Sequence, residues 1–167
     1  MNKNSLLICR QIKMEEIETL SKLAHKIWNF HYPSIIGQKQ VDYMLEQMYS
    51  TESIKEQIFQ KGHIFTAAYS GNVMTGFMSV SKTGESDYFI HKIYVDPKLQ
   101  NKGIGTALMN HIFGDKKKFS IRLTVNRQNI QAINFYFRKG FIIEKIIDMD
   151  IGGGFIMNDF VMLNEKS

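Results

Sequence analysis

Hydrophobic residues recur every three or four positions between Met14 and Phe30, and polar residues occupy most of the positions between them. This spacing predicts an amphipathic helix, which must end before Pro33 because a residue that precedes proline disfavours the helical conformation. Two shorter repeats of the same kind predict two further helices before residue 62. We expect Ser53 and Glu56 to form the capping box of the second of these helices.

After Gly62 the pattern becomes that of strands. Residues 63–69 and 73–81 are predicted as two strands, joined by the tight-turn sequence Ser70-Gly71-Asn72. Gly76 lies inside the second strand. An internal glycine there predicts a β-bulge or a close approach of another backbone segment.

A continuous, mostly apolar run from Tyr88 to Val95 predicts a buried central strand. The remaining elements are predicted as strands at residues 6–12, 119–125, 141–150 and 155–163, and as helices at residues 106–113 and 130–139. The order is β-α-α-α-β-β-β-α-β-α-β-β, so the strand-helix-strand unit in its middle should form a parallel pair with a right-handed crossover. With no repeat or linker, residues 1–167 are expected to form one domain.

The loop after the central strand is the candidate binding site. Asp96-Pro97 ends the strand, and the polar, glycine-bearing stretch from Gln100 to Gly105 leads into the helix that begins at Thr106. The first N–H groups of a helix have no intrahelical partners, and the helix dipole favours an anion there. This arrangement predicts a phosphate or pyrophosphate site, although the same pattern also fits a strand-helix turn without a ligand.

Two better-known phosphate loops do not fit this stretch. A Walker-type loop requires Gly-Lys-Ser/Thr, whereas Gly105 is followed by Thr106-Ala107. A dinucleotide fingerprint requires a third small residue, and Leu108 occupies that place. The stretch does match a third pattern, Gln/Arg-x-x-Gly-x-Gly/Ala after a strand.

Composition narrows the class of protein. The net charge of +5 is dispersed, and the one tight run, Lys116-Lys117-Lys118, follows a predicted helix, where it complements the dipole. We therefore expect no nucleic-acid partner. No apolar run is long enough to span a bilayer, the N-terminal run Leu6 to Cys9 is too short for a signal peptide, and the five histidines lack ligand spacing. A cytoplasmic protein without a membrane partner or a metal is expected.

Two motifs resemble those of the GNAT superfamily of N-acetyltransferases. Gln100, Gly103 and Gly105 match the loop with which that family holds the pyrophosphate of acetyl-coenzyme A (acetyl-CoA). The stretch Asn129 to Phe141, NIQAINFYFRKGF, is similar to the family pattern Asn-x-x-Ala-x-x-Phe/Leu-Tyr-x-x-x-Gly-Phe. The resemblance spans residues 6–163. It implies a single-domain α/β (α+β) fold, with a mixed, mostly antiparallel sheet of about seven strands and helices on both faces.

The resemblance also implies the site for acetyl-CoA, the co-substrate. The pantetheine arm should pair with the backbone of the central strand, and the pyrophosphate should lie on the loop. The implied cofactor-binding residues are Ile93, Tyr94, Val95, Gln100, Asn101, Lys102, Gly103, Ile104, Gly105, Thr106 and Asn129. Asn129 is equally interpreted as a helix N-cap.

The same resemblance implies that an amine attacks the thioester directly. Tyr136 stands where the family often has the general acid that protonates the leaving thiolate, although a helical tyrosine beside two phenylalanines is ordinarily a core residue. Many relatives have a Glu on the central strand as base, and this strand has none between Asp87 and Val95. His91 is the candidate base instead, and a structural role for His91 fits equally well.

The acceptor site is expected near the helical N-terminal part and the last hairpin. Trp28, His31 and Tyr32 either pack the helix end or wall an amine channel, and Asp159 is either a solvated turn residue or a partner for a cationic amine. The segments WNFHYPSIIGQKQVDYML and GGGFIMNDFVM are similar to bacterial polyamine (spermidine/spermine-type) acetyltransferases.

The predicted function is acetyl transfer from acetyl-CoA to a small primary amine, with a polyamine as the first candidate. Two alternatives stay open. One is acetylation of a protein N-terminus or lysine, and the other is a non-catalytic acyl-CoA-binding module. The oligomeric state, monomer or homodimer, is also open.

Overall fold

The computed structural model of the chain describes residues 6–166. They contain seven strands, six α-helices and two short 3-10 turns, Met14–Glu16 and Pro97–Leu99. The strands and helices in chain order are β1 (Leu7–Gln11), α1 (Ile17–His31), α2 (Pro33–Ile36), α3 (Gln38–Tyr49), α4 (Thr51–Phe59), β2 (Ile64–Ser70), β3 (Val73–Lys82), β4 (Asp87–Val95), α5 (Ile104–Phe113), β5 (Phe119–Asn126), α6 (Ile130–Arg138), β6 (Ile142–Gly152) and β7 (Phe155–Lys166).

These residues form two compact units that share strand β4. The first comprises residues 6–80 and Lys92–Asp115, and the second comprises Ser81–His91 and residues 116–166. The strands are hydrogen-bonded in the order β1-β2-β3-β4 and β4-β5-β7-β6. This arrangement confirms the predicted α/β class and the mixed sheet of seven strands.

The strand pairings explain which side chains face each other. β1 pairs antiparallel with β2, β2 with β3, and β7 with both β5 and β6. β4 and β5 pair in parallel from Asp87↔Ser120 to Ile90↔Leu123, as predicted for the strand-helix-strand unit. The pairing of β4 with β5 ends at Ile90, so the second half of β4, from Lys92 onward, lies outside the stretch paired with β5.

Each unit buries an apolar face of its own. In the first unit, α1 packs against α3 and α4 and buries Ile17, Leu20, Leu23, Ala24, Ile27 and Trp28. Met14 and Phe30, the two ends of the predicted apolar face, are exposed instead. In the second unit, β5 alternates between buried and half-buried residues, and its buried side chains are Ile121, Leu123 and Val125. Burial of these apolar groups is the main force that stabilises both units.

Gly76 has both properties that an internal strand glycine predicts. The register of β2 with β3 shifts where Ala68 opposes Gly76 and Tyr69 opposes Met74, so that Thr75 forms a bulge. A Cβ atom on Gly76 would lie 2.7 Å from the carbonyl oxygen of Tyr94. Only glycine therefore allows β3 to approach the second half of β4 this closely.

The predicted capping box of α4 is wrong, because Ser50 and Ser53 both precede an apolar run and either serine could cap the helix. α4 begins at Thr51, and its N-cap is Ser50, whose side chain accepts from the N–H of Ser53 at 3.2 Å. Ser53 is thus inside the helix instead of at its cap. The short helix α2 after Tyr32 was not predicted, although Pro33 suits a first helical position.

The central strand differs from its prediction in burial. Only Ile90 and Lys92 of β4 are buried, and the rest of the strand is half-buried or exposed, so an apolar run did not mean a fully buried strand here. α5 begins at Ile104, two residues earlier than predicted. Residues 1–5 and 167 lie outside the described residues, and the single domain over 1–167 stays a prediction.

Candidate functional site

Two residues of the predicted phosphate loop have left-handed backbone conformations. Asn101 and Gly103 both adopt left-handed conformations, with φ +61° and +79°. Gly103 is the N-cap of α5, and no side chain caps this helix end. The N–H groups of Ile104, Gly105 and Thr106 consequently have no intrahelical acceptor. Positive φ at Gly103 explains why a glycine is needed there.

The loop is in contact with a residue predicted for the acceptor side. The side chain of Gln100, the first motif position, lies 2.6 Å from Nε2 of His31 at the end of α1. Burial lowers the pKa of His31, so a neutral imidazole that accepts from the Gln100 amide is favoured. Lys98 and Lys102 are exposed and add positive charge to this end of the first unit.

The second half of β4 is anchored at its end. The N–H of Asp96 donates to the carbonyl oxygen of the bulged Thr75 at 2.9 Å. The Asp96 carboxylate accepts from the backbone N–H of Lys98 and pairs with Lys26 of α1 at 2.5 Å. These bonds hold Ile93, Tyr94 and Val95, the predicted pantetheine segment, between α1 and the bulge.

The aromatic residues predicted for the acceptor side form a packed cluster. Trp28 stacks on Tyr32 with ring centroids 4.3 Å apart, and it lies 5.4 Å from Tyr49 and 6.1 Å from Tyr94. Burial raises the pKa of Tyr49 and of Tyr94, so their hydroxyl groups stay protonated. The buried Nε1 of Trp28 has no hydrogen-bond partner among residues 6–166. The structure thus brings Trp28 and Tyr32 together with Tyr94.

Sequence reasoning missed Lys92, which is buried on β4 between His91 and Ile93. Its Nζ donates to Oε1 of Gln57 at 2.5 Å and lies 5.3 Å from the centre of the Tyr49 ring. Burial lowers the pKa of Lys92 to about 8. Side chains alternate between the two faces of β4, so position 92 lies on the same face as the buried Ile90. Lysine is rarely buried, however, so the residue type favoured an exposed position.

In the second unit, the two candidate catalytic residues both pack against aromatic rings. His91 lies 4.9 Å from Phe89, and its Nε2 is 2.8 Å from the hydroxyl of Ser81. Tyr136 is buried, with ring centroids 5.5 Å from Phe135 and 5.5 Å from Phe141. Asn129 is the N-cap of α6, where Oδ1 accepts from the N–H of Ala132 at 3.2 Å. The N-cap role is therefore confirmed, whereas the catalytic roles remain predictions.

Asp159 differs from the solvated turn residue that was one of its two interpretations. It lies inside β7, opposite Asn126 of β5 and Ile147 of β6, and is 2% exposed. Burial raises the pKa of its carboxyl to about 6, against a smaller lowering by the Thr124 hydroxyl and by Arg127. Because the residue lies five positions beyond Gly154, its proximity to the glycine turn in sequence was misleading.

Two classes of site are not found in the described part of the chain. Residues 6–166 hold no group of three or more histidine, cysteine, aspartate or glutamate side chains placed to bind a metal ion. Nor does any helix within that range have the length and apolarity that crossing a bilayer requires.

Comparison with known proteins identifies the family. The sequence profile of the Acetyltransferase (GNAT) family matches residues 23–141, a stretch that includes the phosphate loop, β4, α5 and α6. The chain therefore belongs to the GNAT acetyltransferase family. This result confirms the resemblance that was based on the two motifs. The protein is therefore an acetyl-CoA-dependent N-acetyltransferase.

Individual relatives agree with this assignment. The chain is 27% identical over 155 residues to a spermidine N(1)-acetyltransferase of Thermoplasma acidophilum, covering 89% of this chain and 93% of the relative. Its fold is similar to a PaiA N-acetyltransferase of the same organism in complex with coenzyme A, with a TM-score of 0.79, 24% identity and coverage of 96% and 99%. The ribosomal-protein-S18-alanine N-acetyltransferase of Escherichia coli has a TM-score of 0.72, 16% identity and coverage of 97% and 95%.

Proposed function

We propose that the protein transfers the acetyl group of acetyl-CoA to a small primary amine, and that this amine is a polyamine. The observation that carries the choice of substrate is the similarity to a spermidine N(1)-acetyltransferase over nearly the full length of both chains. The buried carboxylate of Asp159 supports it, since a polyamine is a cation and would pair with such a group.

The donor is proposed to be held by the first unit. The amides of Ile104, Gly105 and Thr106 at the start of α5 are available to the diphosphate, and Lys102 adds charge. We further propose that the pantetheine arm pairs with Ile93 and Val95, whose register with β5 has already ended at Ile90. A backbone N–H of this segment would then polarise the thioester carbonyl.

The transfer is proposed to proceed by direct attack. The neutral amine attacks the carbonyl carbon, the C–N bond forms, the C–S bond breaks, and the Tyr136 phenol protonates the leaving thiolate. No enzyme nucleophile is needed. Trp28, His31 and Tyr32 are proposed to border the acceptor, and the close packing of Trp28 on Tyr32 supports a rigid wall over a flexible channel.

The experiment is a substrate screen with the purified full chain and acetyl-CoA, in which free thiol is measured over time. The panel should hold spermidine, spermine, amino acids, aminoglycosides and peptides with free N-termini. We expect kcat/KM to be highest for a polyamine, and mass spectrometry should show one added acetyl group. A preference for peptides by tenfold or more would instead support protein acetylation, for which the fold similarity to the ribosomal-protein acetyltransferase is the favouring observation.

A further inference from the structure

Asp159 is a carboxylate that the second unit holds almost entirely away from water. Asp159 is 2% exposed, and its Oδ1 has no hydrogen-bond partner among residues 6–166. A buried carboxylate with an unsatisfied oxygen costs free energy. A residue of this kind inside a strand is therefore expected to gain its partner from a ligand.

The cation near Asp159 is hydrogen-bonded to another carboxylate. Arg127, which follows β5, lowers the pKa of Asp159 through its charge, but its guanidinium donates to the exposed Asp148 of β6. Lys145 of β6 opposes Val161, so it lies two pairs further along the sheet. Among the described residues of these strands, only Thr124 contributes a hydrogen bond that stabilises the ionised carboxylate, and this effect is smaller than that of burial. The missing partner should thus carry both positive charge and N–H donors.

The position of Asp159 in the second unit suits a group that acts on the acceptor. It is opposite Asn126, the last residue of β5. From that end of β5 the chain turns through Arg127 and Gln128 into α6, which carries Tyr136. Asp159 therefore pairs with the end of β5. From that end the chain continues into the helix that contains Tyr136, the proposed general acid.

We propose that Asp159 binds the ammonium group of the acceptor and then takes its proton, so that Asp159 is the general base of the transfer. This inference rests on the proposed function, because it assigns a role toward the same amine. It is an alternative to His91, whose Nε2 lies 2.8 Å from the Ser81 hydroxyl. The ligand class is a primary ammonium ion, for which the unsatisfied Oδ1 provides the acceptor.

The protons balance as follows. The ammonium gives one proton to Oδ1 of Asp159, and the neutral amine attacks the thioester. As the C–S bond breaks, the thiolate takes the phenol proton of Tyr136, and the second proton lost by the amide nitrogen restores the phenol of Tyr136. Asp159 finally releases its proton to solvent, so one proton is released for each acetyl group transferred.

The ionisation of Asp159 gives the proposal a pH signature. Because burial raises its pKa to about 6, the carboxylate is ionised at neutral pH and becomes protonated as the pH falls through 6. A base must be ionised to act, so kcat should fall on the acidic side with a midpoint near pH 6 in the complex with the amine bound, or below it if the ammonium stabilises the carboxylate.

The test compares Asp159→Asn with wild type and with Asp115→Asn, which makes the same change at an exposed aspartate after α5. For Asp159→Asn we expect kcat to fall at least 100-fold at pH 7.5 and the acidic limb to disappear, with the Kd for acetyl-CoA unchanged. Asp115→Asn should match wild type. A rise in KM alone would show a binding role and overturn the assignment as base.

Two further variants keep the proposal testable if Asp159→Asn does not fold. Thr124→Val removes the hydroxyl that lowers the pKa of Asp159, so the acidic limb should move to higher pH. His91→Gln should retain the acidic limb. If Thr124→Val leaves the limb in place while His91→Gln abolishes it, His91 is the base and the proposal is wrong. If the wild-type protein acetylates none of the amines in the panel, the proposed function itself is wrong.

Discussion

Tyr136 is the residue for which a core role and a catalytic role are hardest to separate. Its ring is buried between Phe135 and Phe141, as any aromatic residue of a helix face would be. Its hydroxyl is the only part that the catalytic role requires. A substitution that keeps the ring and removes the hydroxyl therefore distinguishes the two roles.

We predict that Tyr136→Phe lowers kcat by about 10²- to 10⁴-fold, the usual contribution of a general acid, and leaves the Kd for acetyl-CoA unchanged. The matched control is Tyr43→Phe on α3, which removes a hydroxyl from a half-buried tyrosine of the first unit. Steady-state kinetics and isothermal titration calorimetry provide the two readouts. An unchanged kcat would leave Tyr136 as a core residue.

At the same scale, two charged residues show where prediction from sequence stops. Asp159 and Lys92 are 2% and 3% exposed. Their sequence positions on strands could be predicted, but their burial is decided by which strands and helices cover them. Lys92 is buried because Gln57 and the Tyr49 ring of distant helices reach it. Such long-range contacts have no local signature, and average composition places both residue types at the surface.

At the scale of elements, α6 depends on Asn129 at its start. The side chain accepts a bond from Ala132, so that one of the unpaired N–H groups of the first turn is satisfied. The resemblance to the family also implies a contact between Asn129 and the coenzyme. The two roles predict different responses to substitution.

We predict that Asn129→Ala lowers the free energy of unfolding by about 1 kcal/mol and that Asn129→Ser, which can still cap, changes it by less than about half as much. Thermal unfolding followed by circular dichroism measures this difference. The Kd for acetyl-CoA separates the second role, since loss of a contact would weaken binding in both variants. Equal destabilisation by alanine and serine would contradict the N-cap role.

The elements that could be predicted are those with a strong local pattern. The long apolar face of α1 and the glycine at position 76 both had the structural consequence that their spacing or type implies. The cap of α4 was misplaced by three residues, from Ser50 to Ser53, because both serines precede an apolar run and only backbone geometry chooses between them. Competition between equivalent local signals is thus the limit at this scale.

At the scale of the whole molecule, the family could be predicted because two motifs with defined mechanisms occur in the expected order. The profile match over residues 23–141 includes the phosphate loop and all of the second motif, which ends at Phe141. The acceptor could not be predicted with the same certainty. Its site depends on side chains such as Trp28 and Asp159, which carry no motif of their own and differ from one acceptor to another.

The donor provides a prediction that depends on the whole folded chain. A ligand that binds only the folded state stabilises it by roughly 2.7 kcal/mol at 100 times its Kd. For a chain of this size that corresponds to an increase in Tm of about 5–10 °C. We expect this increase with coenzyme A, and a much smaller one with pantetheine, which lacks the diphosphate that the start of α5 is proposed to hold.

The charge of the loop can be tested in the same assay. The net charge of +5 is spread over the chain, so a general attraction of anions would be weakened similarly by removing any exposed lysine. A specific diphosphate site at the start of α5 would depend on Lys102. We therefore predict that Lys102→Gln reduces the increase in Tm caused by coenzyme A, whereas Lys118→Gln, in the lysine run after α5, does not. Equal effects of the two variants, or an equal increase with pantetheine, would mean that the diphosphate is not held by the loop and would remove the structural basis for donor binding.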